Sequence, residues 1–176
     1  NIRPPLHIYR SNNFSADNIE IKSNIVDANY KSGGVLVTSS TVVFNNTTID
    51  SNLSNLTGSS NYAGGFYSGH SHITINNSQI SNNKSGRGGG GYSDLDTTYV
   101  MRNVTINNNE ATMWGGGLAI SQFKGLNNAN VDLSNVLIVN NKAPERSAFY
   151  IYETNVRAVN LTIASNEGDS PIFLNG

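Results

Sequence analysis

Residues 64–83 read GGFYSGHSHITINNSQISNN, and this stretch contains the two motifs on which the fold prediction depends. It begins with a glycine pair and an apolar residue, and it ends with Ile80 followed three places later by Asn83. Between them, apolar and polar residues alternate from His72 to Ile75, which is typical of a β-strand with one buried face. The stretch therefore predicts short strands between sharp turns.

The second motif recurs along the whole chain. An aliphatic residue with Asn three places later is found as Val26 with Asn29, Ile49 with Asn52, Ile80 with Asn83, Ile106 with Asn109, Ile138 with Asn141 and Ile163 with Asn166. Three places before these aliphatics stand Ser23, Asn46, Asn77, Asn103, Asn135 and Asn160. Successive copies are 23 to 32 residues apart, and a fixed period of this size indicates a solenoid.

The glycine pair recurs with it. The apolar residue after the pair is Val35, Phe66, Tyr92 and Leu118, and Phe149 and Ile172 follow degenerate pairs. From the second glycine or its replacement to the next aliphatic anchor the spacing is 15 residues four times and 21 once, with the extra residues around 124–128. The constant spacing predicts that the part of each coil from the glycine pair to the aliphatic anchor has a fixed length. The rest of the coil varies in length, which predicts a variable turn there, such as the loop at 53–63.

The composition favours β-structure over helix. The chain has 29 Asn and 33 Ser plus Thr, residues that favour turns and are poor in helix interiors. We therefore predict an all-β, single-stranded parallel β-helix of about six coils with three short strands each, forming one domain over residues 1–176. The two Asn columns are expected at bends, as ladders whose amides turn inward and hydrogen-bond along the stack.

Composition also excludes several functions. The net charge of −1 argues against nucleic acid as a partner. The sequence has no run of 18 consecutive apolar residues, so membrane insertion of this segment is not expected. Cys is absent, so neither disulfides nor thiolate metal sites are expected. The sequence starts with neither Met nor a signal peptide, and we expect a segment of a longer chain or fibre.

The paired motifs resemble the repeats of the polymorphic outer membrane proteins, whose signature is Gly-Gly-Ala-Ile with Phe-x-x-Asn. The resemblance covers about residues 19–176, with Ile or Val in place of the Phe and larger residues in place of the Ala. It implies a right-handed β-helix that is secreted or displayed on a cell surface and is often adhesive.

Asn-x-Ser/Thr sequons predict where sugars could be attached. Five of the nine fall in the presumed inward ladders, at Asn46, Asn52, Asn83, Asn103 and Asn160. The other four, Asn13, Asn45, Asn55 and Asn76, are the glycosylation candidates.

Three further groups of residues have a chemical and a structural interpretation. Asp94 and Asp96, near Arg87, could serve a polysaccharide-cleaving enzyme or be a solvated pair, and His70 with His72 could bind a metal or be surface histidines. Trp114, Tyr62 and Tyr67 could form a sugar-contacting strip or pack a loop onto the coil. The glycine run 86–91 lacks the Lys-Ser/Thr of a phosphate loop.

We therefore expect an extracellular or cell-surface solenoid with a structural or adhesive role, without catalytic residues, metal or cofactor. The expected partners are glycans, host or cell-surface proteins, or another copy stacked end to end in a filament. The alternative is a carbohydrate-binding or polysaccharide-cleaving β-helix.

Overall fold

The computed structural model describes residues 4–26, 30–54, 62–94, 96–121 and 130–175. These residues form strands β1 to β21, and all the pairs between them are parallel. The strands lie in three sheets, each visited once per coil, so the predicted parallel β-solenoid with three strands per coil is confirmed. The six strands of the third sheet are separated by five turns of the chain.

The first sheet follows the glycine pairs and contains β1 (Leu6–Tyr9), β5 (Val35–Thr38), β9 (Phe66–Gly69), β12 (Gly91–Asp94), β15 (Leu118–Ser121), β18 (Phe149–Tyr152) and β21 (Ile172–Asn175). The second sheet contains β2 (Phe14–Asp17), β3 (Glu20–Lys22), β6 (Thr41–Asn45), β7 (Thr48–Asp50), β10 (His72–Ser81), β13 (Thr98–Asn107), β16 (Asn130–Val139) and β19 (Asn155–Ala164). The third sheet contains β4 (Ile25–Val26), β8 (Leu53–Ser54), β11 (Lys84–Arg87), β14 (Glu110–Trp114), β17 (Lys142–Glu145) and β20 (Glu167–Asp169).

The aliphatic anchors lie in one file across the second sheet. Ile80 pairs with Ile49 on one side and with Ile106 on the other, and the file continues through Ile138 to Ile163. Ile49, Ile80, Ile106 and Ile138 are at most 1% exposed. Burial of each such side chain contributes about 1.5–3 kcal/mol to folding, so this file is a main source of stability.

The predicted register of the first coil is wrong. Ile21, not Val26, pairs with Ile49, whereas Val26 pairs with Ser54 in the third sheet. The motif of the first coil is Ile21-Lys22-Ser23-Asn24, five residues earlier than predicted, and Asn29 lies outside the described residues. With this correction the repeat spacing runs from 25 to 32 residues.

The predicted glycine pair of the third repeat is also displaced by one residue. Gly91 pairs with Phe66 and with Leu118, so the true pair is Gly89-Gly90 and Tyr92 does not belong to the inward column. The reason is steric, because a Cβ on Gly91 would lie 2.5 Å from the ring of Phe66. Gly91 thus takes the inward position, and the large ring of the preceding coil fills the space above it.

A second size match occurs deeper in the core. Tyr99 is fully buried, and its hydroxyl is hydrogen-bonded to Ser68 of the first sheet, a position filled by an aliphatic side chain, Val37 or Ile120, in other coils. A large polar ring is therefore accommodated where the facing residues are small and polar. Burial raises the pKa of the Tyr99 hydroxyl, so it remains protonated in the folded chain.

The inner Asn ladder joins the coils at the bend between the second and third sheets. The ladder consists of Asn24, Asn52, Asn83, Asn109, Asn141 and Asn166. Its four middle members, from Asn52 to Asn141, each donate their Nδ2 to the Oδ1 of the next Asn and to a backbone carbonyl of the preceding coil, at 2.9–3.0 Å. At the two ends, Asn24 donates to Asn52 and Asn166 donates to the carbonyl of Ile138. From Asn52 to Asn141 these side chains are at most 1% exposed. The ladder satisfies polar groups at a bend that strand pairing does not reach.

The glycine pairs lie where a side chain would crowd both the next coil and the inner Asn ladder. A Cβ on Gly90 would lie 3.0 Å from Nδ2 of Asn109 and 2.5 Å from the carbonyl oxygen of Gly117 in the next coil. Gly34 and Gly65 stand in the same relation to Asn52 and Asn83. The two motifs that recur together in the sequence are therefore in contact across each coil.

The outer Asn ladder corrects the prediction that both Asn columns turn inward. Its members are exposed; they are Asn46, Asn77, Asn103, Asn135 and Asn160. From Asn77 to Asn160 they bond to one another on the surface, whereas Asn46 donates to the carboxylate of Asp17. Each of these residues has a left-handed backbone, with φ between 49° and 55°. This backbone turns the strand and leaves the side chain outside.

Candidate functional site

The outer face of the first sheet carries a file of aromatic side chains. Successive coils place Leu36, Tyr67, Tyr92, Ala119, Tyr150 and Phe173 directly over one another. Since side chains alternate across a strand, these are the neighbours of the inward residues that follow the glycine pairs. The outward file therefore runs parallel to the inward file of core residues and has the same register.

Ala119 interrupts the file, and Trp114 fills the gap. The Trp114 ring lies 5.6 Å from that of Tyr92 and 4.7 Å from that of Tyr150, measured between ring centroids. After Trp114 the chain turns through Gly115, whose φ is 72° and where a Cβ would lie 2.6 Å from the Cβ of Ala119. The small residue at 119 therefore admits the turn that delivers the indole ring.

Tyr62 completes the surface from the side, with its ring 4.9 Å from Tyr92 and 5.9 Å from Tyr67. We call the resulting row the aromatic strip; its members are Tyr62, Tyr67, Tyr92, Trp114, Tyr150 and Phe173. It extends along the solenoid axis over five neighbouring strands of the first sheet.

The two sequence interpretations of these aromatics describe different members of the strip. Tyr67 and Tyr92 are 1% and 5% exposed, so they form a second small core against which Tyr62, Trp114 and Tyr150 pack. Tyr62, Trp114, Tyr150 and Phe173 are half-buried and keep part of their surface in solvent. The strip is thus anchored by packing and remains open along its rim.

Three cations lie over the rings. Lys31 is 4.5 Å from the Tyr67 centroid, Arg87 is 5.1 Å from Tyr62 and 5.5 Å from Trp114, and Arg146 lies over the last two rings. At these distances a cation is attracted to the negative face of the ring. The cations therefore form part of the same surface as the aromatic strip.

Asp94 is held inside this surface by a tyrosine and a lysine. It accepts a hydrogen bond from the Tyr67 hydroxyl, and its Oδ2 lies 3.5 Å from Nζ of Lys31. Burial, and next the negative charge of Asp94, raise the pKa of Tyr67; burial likewise raises that of Tyr92. Both hydroxyls therefore stay protonated at neutral pH.

The two members of the predicted acidic pair lie in different surroundings. Asp94 pairs in register with Gly69 and Ser121 of the adjacent coils. Asp96 has its Oδ2 3.8 Å from Nδ1 of His70. The two carboxylates thus have different neighbours: a tyrosine and a lysine for one, a histidine for the other.

His72, the other member of the predicted histidine pair, lies on β10 between Thr41 and Thr98 of the adjacent coils. Over the described ranges, no group of three His, Cys, Asp or Glu side chains could hold a metal ion. In the same part of the chain, no helix is long and apolar enough to cross a membrane.

The sequons divide by ladder. Asn52 and Asn83 are buried in the inner ladder, whereas Asn46, Asn103 and Asn160 are exposed, contrary to the inward orientation expected of them. Of the glycosylation candidates, Asn13 is exposed, and Asn45 and Asn76 are half-buried and bonded to each other at 2.9 Å. Asn55 lies outside the described residues.

No protein-family model matches the chain, and no curated protein or solved structure shows significant similarity to it. The structure itself defines the class of the protein: it is an all-β parallel solenoid with a partly exposed aromatic strip along one face.

Sequence reasoning identified only part of the strip. Tyr92 was assigned to the inward column, and Tyr150, Phe173, Lys31 and Arg146 were missed. The signal that could have found the rings is the second residue after each glycine pair, which is aromatic in four coils. Trp114 breaks that rule because it reaches the file from the third sheet.

Proposed function

We propose that this chain is an extracellular or cell-surface solenoid with an adhesive role, and that it binds polysaccharide through the aromatic strip. The observation that carries the proposal is the continuous row of rings along the solenoid axis. Aromatic rings stack on the apolar C–H faces of sugar rings, and a row of them suits a linear glycan. The half-buried state of Tyr62, Trp114, Tyr150 and Phe173 supports this use.

The solenoid supports the role mechanically. Neighbouring coils are joined by strand pairing in three sheets and by the inner Asn ladder. A binding surface on such a scaffold is positioned before the ligand arrives, which lowers the entropy cost of binding. End-to-end stacking of copies into a filament stays part of the proposal.

We also propose that the repeat is of the polymorphic outer membrane protein type. The contact between the second glycine of each pair and the inner ladder supports it, because it gives a physical reason for the two motifs to recur together.

Binding to immobilised polysaccharides tests the adhesive function. Trp114→Ala is expected to weaken binding by about 2 kcal/mol, or about thirtyfold, as aromatic anchors commonly do. Met113→Ala is the matched control, because Met113 is the neighbouring residue, is 49% exposed and is not part of the strip. Equal loss in both variants, or no binding by the unmodified chain to any polysaccharide, would contradict the proposal.

The alternative, a polysaccharide-cleaving enzyme, is favoured by the position of Asp94 within the strip. The bonds of Asp94 to Tyr67 and Lys31 suit a structural role, and we expect no release of reducing ends from any bound polysaccharide. If the chain does cleave a polysaccharide and Asp94→Asn abolishes the cleavage, the proposed function is wrong and the protein is an enzyme.

Glycosylation of the chain is a prediction for expression in a eukaryotic secretory host. We expect sugars on exposed sequons such as Asn13 and Asn103, and none on Asn83, whose amide is buried in the inner ladder. Peptide mapping before and after deglycosylation measures the occupancy, and a sugar on Asn83 would show that the ladder does not form there.

A further inference from the structure

Arg87 holds a position in the aromatic strip that neither of the other two cations shares. Lys31 lies 3.5 Å from Asp94, and Arg146 has a carboxylate oxygen of Glu145 at 3.8 Å. Within the described part of the chain, no carboxylate lies within 4.0 Å of Arg87. Its positive charge is therefore available to a ligand.

The rings hold the Arg87 guanidinium in place. Its central carbon lies over both Tyr62 and Trp114, at 5.1 and 5.5 Å from their centroids, so the group bridges two members of the strip. A guanidinium stacked on rings keeps its N–H groups in its own plane, and these match a carboxylate with two parallel hydrogen bonds. Arg87 is half-buried, so part of the group reaches solvent.

The carboxylate within the strip, that of Asp94, already has partners. Asp94 accepts the Tyr67 hydroxyl and lies near Lys31, which leaves the centre of the strip with an unpaired cation and no unpaired anion. The complementary ligand is one that presents a carboxylate beside an apolar ring face. A sugar with a carboxyl group in place of its hydroxymethyl group has both features.

We infer that the strip selects acidic polysaccharides, and that Arg87 is the residue that determines this selectivity by binding the carboxylate of a uronic acid while Trp114 and Tyr62 contact its ring. This inference rests on the proposed polysaccharide binding and names its ligand class.

The test compares uronic-acid polysaccharides with their own carboxyl-reduced forms. Glucuronan, alginate and polygalacturonate are each immobilised beside the matching neutral polymer, so that the sugar rings and linkages are retained and only the charge is removed. The unmodified chain is expected to bind at least one acidic form about tenfold or more tightly than its reduced partner, as a charge-assisted bond requires.

Arg87→Gln is expected to remove that preference, so that the variant binds the acidic polymer no more tightly than the matching reduced form. Arg87→Lys keeps the charge but not the paired donors, and it should retain only part of the preference. Arg157→Gln is the charge-matched control, since Arg157 is 70% exposed on the second sheet, 3.2 Å from Asp132. Circular dichroism checks that each variant keeps its β-structure.

The outcomes separate the two proposals. Equal binding to acidic and reduced polymers would overturn the inference about Arg87 and leave polysaccharide binding intact. A preference that survives Arg87→Gln, or that falls equally in Arg157→Gln, would also overturn it. Failure to bind any polysaccharide would contradict the proposed function and the inference together.

Discussion

The inner and outer Asn ladders contain the same residue type at two bends of the same coils, yet they differ in burial. Asn109 is 1% exposed and takes part in four hydrogen bonds through its side chain, whereas Asn103 is exposed and takes part in two. The backbone explains the difference. At the outer bend the ladder Asn itself is left-handed, while at the inner bend the left-handed residue is the one before it, such as Asn108.

A bend therefore has two places for a polar residue, and they have different uses. The left-handed position tolerates Asn because its short amide costs little there, and it leaves the side chain outside. The next position directs its side chain into the coil, where the amide must find partners. The same pattern occurs at the third bend, where left-handed Ser39 and His70 precede buried Ser40 and Ser71, whose hydroxyls bond to the backbone.

The largest effect predicted from this comparison is that of Asn109→Ala. It removes the Oδ1 that accepts from the buried backbone N–H and the side-chain amide of Asn83, and the Nδ2 that donates to the carbonyl of Ile80. We therefore expect the free energy of unfolding to fall by about 3–5 kcal/mol. Asn103→Ala is the matched variant at the outer bend, and its expected cost is about 1 kcal/mol, from the left-handed backbone. Denaturant titration of both variants measures the difference.

Asn103→Gly sharpens this pair. Glycine accepts the left-handed backbone without strain, so its cost should be near zero if the outer ladder serves only the turn. A loss as large as that of Asn109→Ala would mean that the surface hydrogen bonds stabilise the coils as much as the buried ones do.

The next effect concerns the glycines beside the inner ladder. Gly90→Ala places a methyl group 2.5 Å from the carbonyl oxygen of Gly117 and 3.0 Å from the Asn109 amide, so neighbouring coils must separate. We expect a cost of about 1–3 kcal/mol. The matched variant is Gly69→Ala, where the nearest atoms are side-chain oxygens of Asp94 and Tyr67 at 3.2 Å that can move.

Thermal or denaturant unfolding of the two glycine variants decides whether the ladder needs the space. If Gly69→Ala costs more than Gly90→Ala, the packing of glycine against the inner ladder does not explain why the two motifs recur together.

The sequence predicted the parts of this fold that repeat with constant length. The file of Ile80, Ile106 and Ile138 follows from the constant spacing between the repeats of this chain, and the alternating runs within each repeat predict three strands per coil. Spacing does not give the register at Gly88 to Gly91, because four consecutive glycines offer several equivalent pairs. Their packing distinguishes them, as that of Gly91 against the ring of Phe66 shows.

The candidate site was less predictable than the fold. Tyr67 and Tyr150 are far apart in sequence and come together only through the register of the coils, and a one-residue error at Gly91 hides Tyr92 among the inward residues. The orientation of the outer ladder was missed for a related reason, since spacing alone does not tell which of two neighbouring residues at a bend is left-handed.

The smallest predicted effect is the response of the inner bend to acid. Next to the inner bend, Asp50 lies on the surface; its burial acts to raise its pKa, but hydrogen bonds from Ser81, Asn82 and Ser51 outweigh this and hold the pKa below the ordinary 3.8. A carboxyl group with a lowered folded pKa contributes stability that is present above pH 3.8 and is lost as the pH falls through the folded value. We expect a loss of stability below about pH 4 that Asp50→Asn abolishes. The loss should be small, because Asp50 is half-buried and water screens its charge.

The inner ladder should show no such response. Its members are amides, which do not titrate, so the stability lost in Asn109→Ala is expected to be the same on both sides of that pH range. Denaturant titrations of the unmodified chain, Asp50→Asn and Asn109→Ala across the acid range measure both terms. A pH-dependent cost of Asn109→Ala would mean that the buried ladder is coupled to the surface carboxylate, and the two faces of the bend could then no longer be treated as independent.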